Sequence, residues 1–176
     1  MNWVSAHDLN GWSGTRDSQD TLPEIVRRLI HASIADVSLI RFPSSDAVHM
    51  RGFDGILVTG SIMHHYIPAG ASVWEFGTGE DPEGKATRDY KKRTENPQGV
   101  DPQTTTYVAV TSRFWNSDKK AVWCAERQHS GEWLDVKALD AEDLAVMAAR
   151  FSQRRGLATG CTIGAKPPLA AKKYSS

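Results

Sequence analysis

Two acidic residues stand inside apolar segments of the sequence, where an ionised side chain is costly. Asp54 lies in the run Gly52-Phe53-Asp54-Gly55, and Glu75 lies in Val73-Trp74-Glu75-Phe76. A buried carboxylate is destabilising unless it is paired with a positive charge or binds a cation. The pair is therefore a candidate metal site. For each residue alone the alternatives are a chain bend at Asp54 and an ion pair with a Lys or Arg at Glu75.

The segments around these acids predict two adjacent antiparallel strands. Phe53–Val58 and Ser72–Phe76 are apolar runs separated by Thr59–Ala71, which is rich in Gly, Ser and His. A hairpin centred midway between Asp54 and Glu75 places them opposite each other, where Cβ atoms lie about 4.5–5.5 Å apart. Two carboxylates at that distance repel each other, and Mg²⁺ or Mn²⁺ would relieve the repulsion while keeping room for a phosphate. The predicted chemistry is metal-assisted hydrolysis of a phosphodiester.

The remaining patterns predict an α/β domain with a mixed central sheet flanked by helices. Residues 152–176 lack periodicity and predict a flexible tail after a domain of residues 1–151. Helices are predicted at Thr21–Ile34, Lys85–Thr94 and Asp140–Phe151, and further strands at Val37–Phe42, Thr105–Ser112, Ala121–Ala125 and Trp133–Ala138.

Composition favours one folded domain in the cytoplasm. The chain has 176 residues, of which 40% are hydrophobic, and this is enough to build a core. Its 21 basic and 21 acidic residues cancel, which argues against coating nucleic acid through net charge but leaves room for a local basic strip. Two cysteines fit neither a disulfide framework nor a cysteine zinc site. No apolar run approaches the roughly 20 residues that span a bilayer, and the first residues lack a secretory pattern, so no membrane association is predicted.

The order of these features resembles the PD-(D/E)XK nuclease core, the fold of many restriction endonucleases. A helix comes first, Asp54 starts a strand, Glu75 lies in the next strand, and a helix and a strand follow, giving the order αβββαβ with extra strands and a C-terminal helix. The sequence more closely resembles restriction-endonuclease-like domains at the N-termini of large bacterial proteins, some of which look like antiviral NTPases. The likeness spans about residues 3–144, and its segments are Thr15–Asp20 with Leu22-Pro23, Gly52–Gly55, Val73–Thr78, Lys85-Ala86, Asp89-Tyr90, Lys92–Thr94 and Asp140–Leu144.

This resemblance implies a Mg²⁺- or Mn²⁺-dependent endonuclease acting on DNA, with Asp54 and Glu75 as metal ligands. It also implies an effector of anti-phage or restriction defence, attached to a downstream sensor or NTPase module. The family's lysine lies two residues after the glutamate, and that position is Gly77 here. Relocated lysines occur on the following helix in this fold, so Lys85 is the predicted catalytic lysine, with Lys92 as an accessory. The alternative is a catalytically inactive nuclease-fold domain that binds nucleic acid or another protein.

Other charged residues each have two interpretations. Glu24 is either an accessory metal-binding carboxylate, as in some nucleases of this fold, or the third residue of a capping box that begins at Thr21. Arg88, Lys91 and Arg93 either contact DNA phosphates or form the salt-bridged face of an exposed helix. The residues are compatible with a monomer and with a homo-oligomer.

Overall fold

A computed structural model of the chain describes residues 4–42, 52–60 and 64–159, with the backbone alone described for 151–159. None of the described helices is long and apolar enough to span a bilayer. The elements are α1 (Ala6–Trp12), α2 (Asp17–Ser33), β1 (Val37–Arg41), β2 (Gly55–Thr59), β3 (Ala71–Gly77), α3 (Pro82–Glu95), a 3₁₀ turn (Pro102–Thr104), β4 (Thr105–Thr111), α4 (Ser117–Ser130), β5 (Asp135–Leu139) and α5 (Ala141–Thr159).

The strands form one mixed sheet of five strands in the order β1-β2-β3-β4-β5. The pairs β1–β2 and β2–β3 are antiparallel, whereas β3–β4 and β4–β5 are parallel. Parallel neighbours need a crossover, which α3 and α4 supply. The predicted fold class, a mixed sheet flanked by helices, is confirmed. Strand β3 is the central strand and its interior positions are buried on both faces, so a charged residue in its middle is inside the protein.

Apolar side chains cover both faces of the sheet. On one face, Trp74 and Phe76 of β3 pack with buried residues of α1, α2 and α5. On the other face, Val73 and Tyr107 pack with the aromatic residues of α3 and α4. Because successive residues of a strand point to opposite faces, Glu75 shares the face of Val73 and looks toward α3.

The predicted hairpin is present, and its register is the one that the sequence suggested. Gly55 of β2 pairs with Trp74 of β3, and Val58 pairs with Ala71. The predicted helix Lys85–Thr94 lies within α3, which begins earlier because the Asp81 side chain accepts a hydrogen bond from the Gly84 N–H at 2.8 Å. These two elements are the ones that carry the candidate site.

The segment Ala121–Ala125 is helical, so the prediction of a strand there was wrong. It lies in α4, which begins where the Asn116 side chain accepts from the Lys119 N–H and ends at Gly131, whose φ of +66° favours glycine. Trp123 is the buried residue of this helix. A short apolar run does not distinguish a strand from one turn of a helix. Here the capping residues Asn116 and Gly131 indicate the helix.

Helix α2 begins at Asp17, so the capping box predicted at Thr21 and Glu24 was wrong. Both residues lie inside the helix. The residue at its N-terminal cap, Arg16, makes no capping hydrogen bond, but the acidic Asp17 and Asp20 in the first turn favour the positive end of the helix dipole.

The C-terminal helix was predicted with the correct start and too short a length. The Asp140 side chain accepts from the N–H groups of Glu142 and Asp143 at 3.1 and 3.2 Å, as expected for a cap. The helix then continues to Thr159, eight residues past the predicted end at Phe151. The last part of the predicted tail, 160–176, lies outside the described residues, and the domain boundary at residue 151 stays a prediction.

Candidate metal and active site

Asp54 and Glu75 are neighbours across the β2–β3 hairpin. Asp54 immediately precedes β2, and Glu75 lies one residue beyond Trp74, the partner of Gly55. Continuing the antiparallel register by one position therefore sets Asp54 opposite Glu75. Residues directly opposite in an antiparallel pair project to the same face of the sheet. The structure thus brings together the two acids singled out in the sequence, on the face that looks toward α3.

The Glu75 carboxyl is held inside the protein, with 5% of the residue exposed. Burial, and after it the charge of Asp54, raise the pKa of this carboxyl from 4.5 to about 8, although the hydrogen bond and charge of Arg93 act in the opposite direction. The carboxyl therefore favours its neutral form at pH 7. A divalent cation binding to Glu75 would release that proton.

Arg93 of α3 is the positively charged partner of Glu75. Its Nε donates to Glu75 Oε1, and its Nη2 donates to the carbonyl oxygen of Gly52. The guanidinium also lies over the ring of Phe53, 5.0 Å from its centroid. Arg93 is 7% exposed, so its guanidinium faces the protein interior. The predicted contact of Arg93 with DNA stays a prediction for which this placement offers no support.

Asp54 is half-buried and bonded to the neighbouring strand. Its Oδ2 accepts a hydrogen bond from the N–H of Phe76 at 3.0 Å. The contacts described so far use one oxygen of each acid, Oδ2 of Asp54 and Oε1 of Glu75. A shared cation would therefore be held by Asp54 Oδ1 and Glu75 Oε2.

Lys85 lies over Gly77. This is the position at which the PD-(D/E)XK nucleases, which the sequence resembles, have their lysine. A Cβ atom built on Gly77 would lie 3.1 Å from Cγ of Lys85 and 3.8 Å from its Cε. The side chain of Lys85 therefore occupies the space that a side chain at position 77 would need. Its Nζ forms an ion pair with Asp89, one helical turn later, and the side chain keeps 38% of its surface exposed. The ammonium group is thus positioned by α3 and still open to solvent.

A narrow cleft of about 10 Å³ lies at the ends of β3 and β4 beside α3. Glu75, Lys85 and Asp89 are among the residues that line it, together with Trp115. The buried indole nitrogen of Trp115 has no hydrogen-bond partner among the described residues. The sequence did not single out Asp89 or Trp115 as site residues. The signal for Asp89 was available, since Lys85, Asp89 and Arg93 follow one another at intervals of four along one side of a helix.

The other predicted site residues lie in different settings. Glu24 forms ion pairs with Arg27 at 2.7 Å and Arg28 at 2.8 Å, so its carboxylate already has cationic partners. Three basic residues of α3 are exposed, namely Arg88, Lys91 and Lys92. The predicted roles of Glu24 and Lys92 as accessory residues, and of Arg88 and Lys91 in binding nucleic acid, stay predictions.

The donor set fits a hard divalent cation. Within residues 4–42, 52–60 and 64–159, no group of three or more His, Cys, Asp or Glu side chains could hold a metal ion. A structural zinc ion needs four such ligands. By contrast, Mg²⁺ binds through one or two carboxylates and keeps several waters, and a cation between Asp54 and Glu75 would offset the Asp54 charge that raises the pKa of Glu75. The pair therefore suits Mg²⁺ or Mn²⁺.

Comparisons with known proteins bear on the fold. No protein-family model matches the sequence, and no curated protein matches it. Among solved structures, the chain is similar to the restriction endonuclease FokI bound to DNA, with a TM-score of 0.50 and 13% sequence identity. The match covers 85% of this chain and 27% of that chain, so this chain corresponds to about a quarter of the other's length. The mixed five-stranded sheet with helices on both faces is a restriction-endonuclease-like fold.

Proposed function

We propose that the chain is a metal-dependent nuclease that hydrolyses phosphodiester bonds of DNA. The observation that carries the proposal is the convergence of Asp54, Glu75 and Lys85 on one face of the sheet, with Glu75 and Lys85 lining one cleft. The restriction-endonuclease-like fold supports nuclease chemistry. The structure similar to this one is that of an enzyme bound to DNA, which supports DNA as the substrate.

Each of the three side chains has a distinct task in this proposal. Asp54 and Glu75 would hold Mg²⁺ or Mn²⁺, which when bound would supply a Lewis acid and an activated water. The ammonium of Lys85 stabilises the negative charge that develops on the phosphate and orients the attacking water. Asp89 holds that ammonium through their ion pair, and both side chains line the cleft.

The exposed basic residues of α3 are proposed to bind the DNA backbone. Among the described residues, Arg88 and Lys91 form long ion pairs of 3.9 Å, with Asp81 and Glu95, and all four side chains are at least two-thirds exposed. Exposed pairs of this kind contribute little to stability, so both cations can exchange their partners for phosphates. Such contacts increase affinity without reading the base sequence.

The resemblance also leads us to place the domain in anti-phage or restriction defence, coupled to a sensor or NTPase module. The proposed defence role is tested by plating phage on cells that express either the wild-type chain or Asp54→Ala. Protection that depends on Asp54 is the expected result. Equal plaque counts for both forms would argue against a defence role that requires cleavage.

The second candidate function is an inactive nuclease-fold domain that binds nucleic acid or a protein. The buried pair of Arg93 and Glu75 is the observation that favours it. An acid that is already neutralised by an internal cation does not require a metal ion. The two candidates therefore differ in whether a metal ion displaces part of this arrangement.

A plasmid-nicking assay separates the two candidates. Supercoiled DNA is incubated with purified protein in Mg²⁺ or Mn²⁺, with Asp54→Asn as the test variant and Glu126→Gln as the control. Glu126 is an acid on α4 whose side chain is 69% exposed. We expect metal-dependent nicking by the wild type and by Glu126→Gln, and loss of at least about 100-fold for Asp54→Asn. Binding of DNA without nicking in either metal would support the inactive domain.

A further inference from the structure

We infer that Arg93 is a positioning residue that clamps the chain segment carrying Asp54 against Glu75. This inference rests on the proposed function, because it assigns a purpose to the spacing of the two proposed metal ligands. It gives Arg93 a task different from the DNA contact predicted from the sequence.

Arg93 makes three contacts that join the two segments. One nitrogen of its guanidinium donates to Glu75 on β3, and a second donates to the carbonyl oxygen of Gly52, two residues before Asp54. The face of the guanidinium lies over the ring of Phe53. A planar guanidinium presents several donors in a fixed fork and stacks on aromatic rings. A single buried side chain therefore holds β3 and the Gly52–Asp54 segment at a fixed separation.

The segment needs such a clamp because it lies outside the sheet ladder. Strand β2 begins at Gly55, so Asp54 lies one residue beyond the paired part of the strand. Its carboxylate is fixed by the Phe76 N–H, and Phe53 packs edge-on against Trp133 with 6.1 Å between ring centroids. Arg93 links this segment to Glu75, because it contacts Gly52 and Phe53 as well as the Glu75 carboxyl. Without it, the distance between the two carboxylates would depend on the Asp54–Phe76 hydrogen bond and the packing of Phe53.

The first test measures the clamp without any metal. Because the Phe76 N–H bonds to Asp54, its hydrogen-exchange rate, followed by NMR, reports how firmly the segment is held. We compare Arg93→Met and Arg93→Lys with Arg16→Met, which removes an exposed arginine at the start of α2. Lysine keeps a charge beside Glu75, but its single ammonium lacks the planar fork through which Nε and Nη2 of Arg93 reach Glu75 and Gly52 at once.

We expect Phe76 exchange to accelerate by at least about tenfold in both Arg93 variants and to stay unchanged in Arg16→Met. Wild-type exchange in Arg93→Lys would overturn the inference, since charge alone would then suffice. If Arg93→Met does not fold, Arg93→Lys decides the question by the same readout.

The second test asks whether the clamp serves the metal site, and it separates the inference from the proposed function. Mn²⁺ affinity is measured by electron paramagnetic resonance at temperatures where circular dichroism shows each variant fully folded, so that a loss of stability alone does not alter it. We expect Arg93→Lys to bind Mn²⁺ at least about tenfold more weakly than the wild type. Equal or tighter binding would overturn the positioning role. Absence of Mn²⁺ binding by the wild type would overturn the proposed function instead, while Phe76 exchange still decides whether the clamp exists.

Discussion

The placement of Lys85 over Gly77 makes a quantitative prediction about cleavage. A Cβ atom at position 77 would lie 3.1 Å from Cγ of Lys85, closer than side-chain carbons normally approach, so Gly77→Ala should displace Lys85 by a few tenths of an ångström. A displacement of 1 Å at a reacting group costs on the order of 100-fold in rate, so a few tenths should cost about three- to fivefold. Loss of the ammonium in Lys85→Ala should cost about 100- to 1000-fold.

The two changes should not be additive, because they act through the same side chain. In the Lys85→Ala background the obstacle to a Cβ at position 77 is mostly removed, so Gly77→Ala should have no further effect. In that background Gly77→Lys should raise the cleavage rate at least about tenfold above that of Lys85→Ala, because it returns an ammonium to the same space. The assay is single-turnover cleavage of a labelled duplex at saturating Mn²⁺.

Gly79→Ala is the matched control for this series. A Cβ atom on Gly79 meets no atom within 4 Å, so its cleavage rate should stay within about twofold of the wild type. The reasoning would be refuted if Gly77→Ala and Lys85→Ala were additive, or if Gly77→Lys gave no recovery in the Lys85→Ala background.

Three further predictions concern charge and stability. The pKa of Glu75 is raised to about 8 in the folded protein, so its neutral carboxyl stabilises the fold below the unfolded pKa of 4.5 and that contribution is lost as the pH rises through 8. In urea unfolding of the metal-free protein, the free energy of unfolding of the wild type should fall relative to that of Glu75→Gln between pH 5 and 9, by at most about 5 kcal/mol. A difference between the two proteins that does not change with pH would contradict this. Asp140→Ala removes the cap of α5 and the 2.9 Å ion pair between buried Asp140 and half-buried Lys120, so it should lower the free energy of unfolding by about 3 kcal/mol. An unchanged thermal midpoint would rule out this account of the cap. Alanine at Arg88 or Lys91 should weaken DNA binding and reduce the slope of log affinity against log salt by about one, measured by fluorescence anisotropy, and an unaltered slope would show that the residue does not contact phosphate.

The parts of the fold that follow local rules were predictable from the sequence. Two apolar runs around a polar turn gave the hairpin, and the symmetric placement of Asp54 and Glu75 gave its register, because side chains of a strand alternate with a period of two. Asp140 was recognisable as a cap for the same reason, since capping needs only a short polar side chain and its next neighbours.

The helices that were missed or misread depend on weaker local signals. Helix α1 begins with a capping box formed by Ser5 and Asp8, and its seven residues are too few to show a period. The run Ala121–Ala125 reads equally well as a strand, and its helical state follows from Asn116 and Gly131 at the two ends of α4. Caps were therefore the more reliable signal in both cases.

The charges on α3 show why the site could be predicted only in part. Lys85 was singled out through its place in the motif order, whereas buried Arg93 was predicted to bind DNA together with exposed Arg88 and Lys91. Which side of a charged helix faces the protein depends on the strands beneath it, here β3 with Glu75. The indole nitrogen of Trp115 likewise becomes a site feature only when β4 and α3 meet.

The central claim is that Asp54 and Glu75 together hold one divalent cation. The most direct measurement is an anomalous difference map from crystals soaked in MnCl₂, collected for wild type and for Asp54→Asn. The account predicts one strong peak at about 2.1 Å from Asp54 Oδ1 and Glu75 Oε2, absent in the variant. A wild-type map with no peak between these carboxylates, at Mn²⁺ concentrations that support nicking, would contradict it.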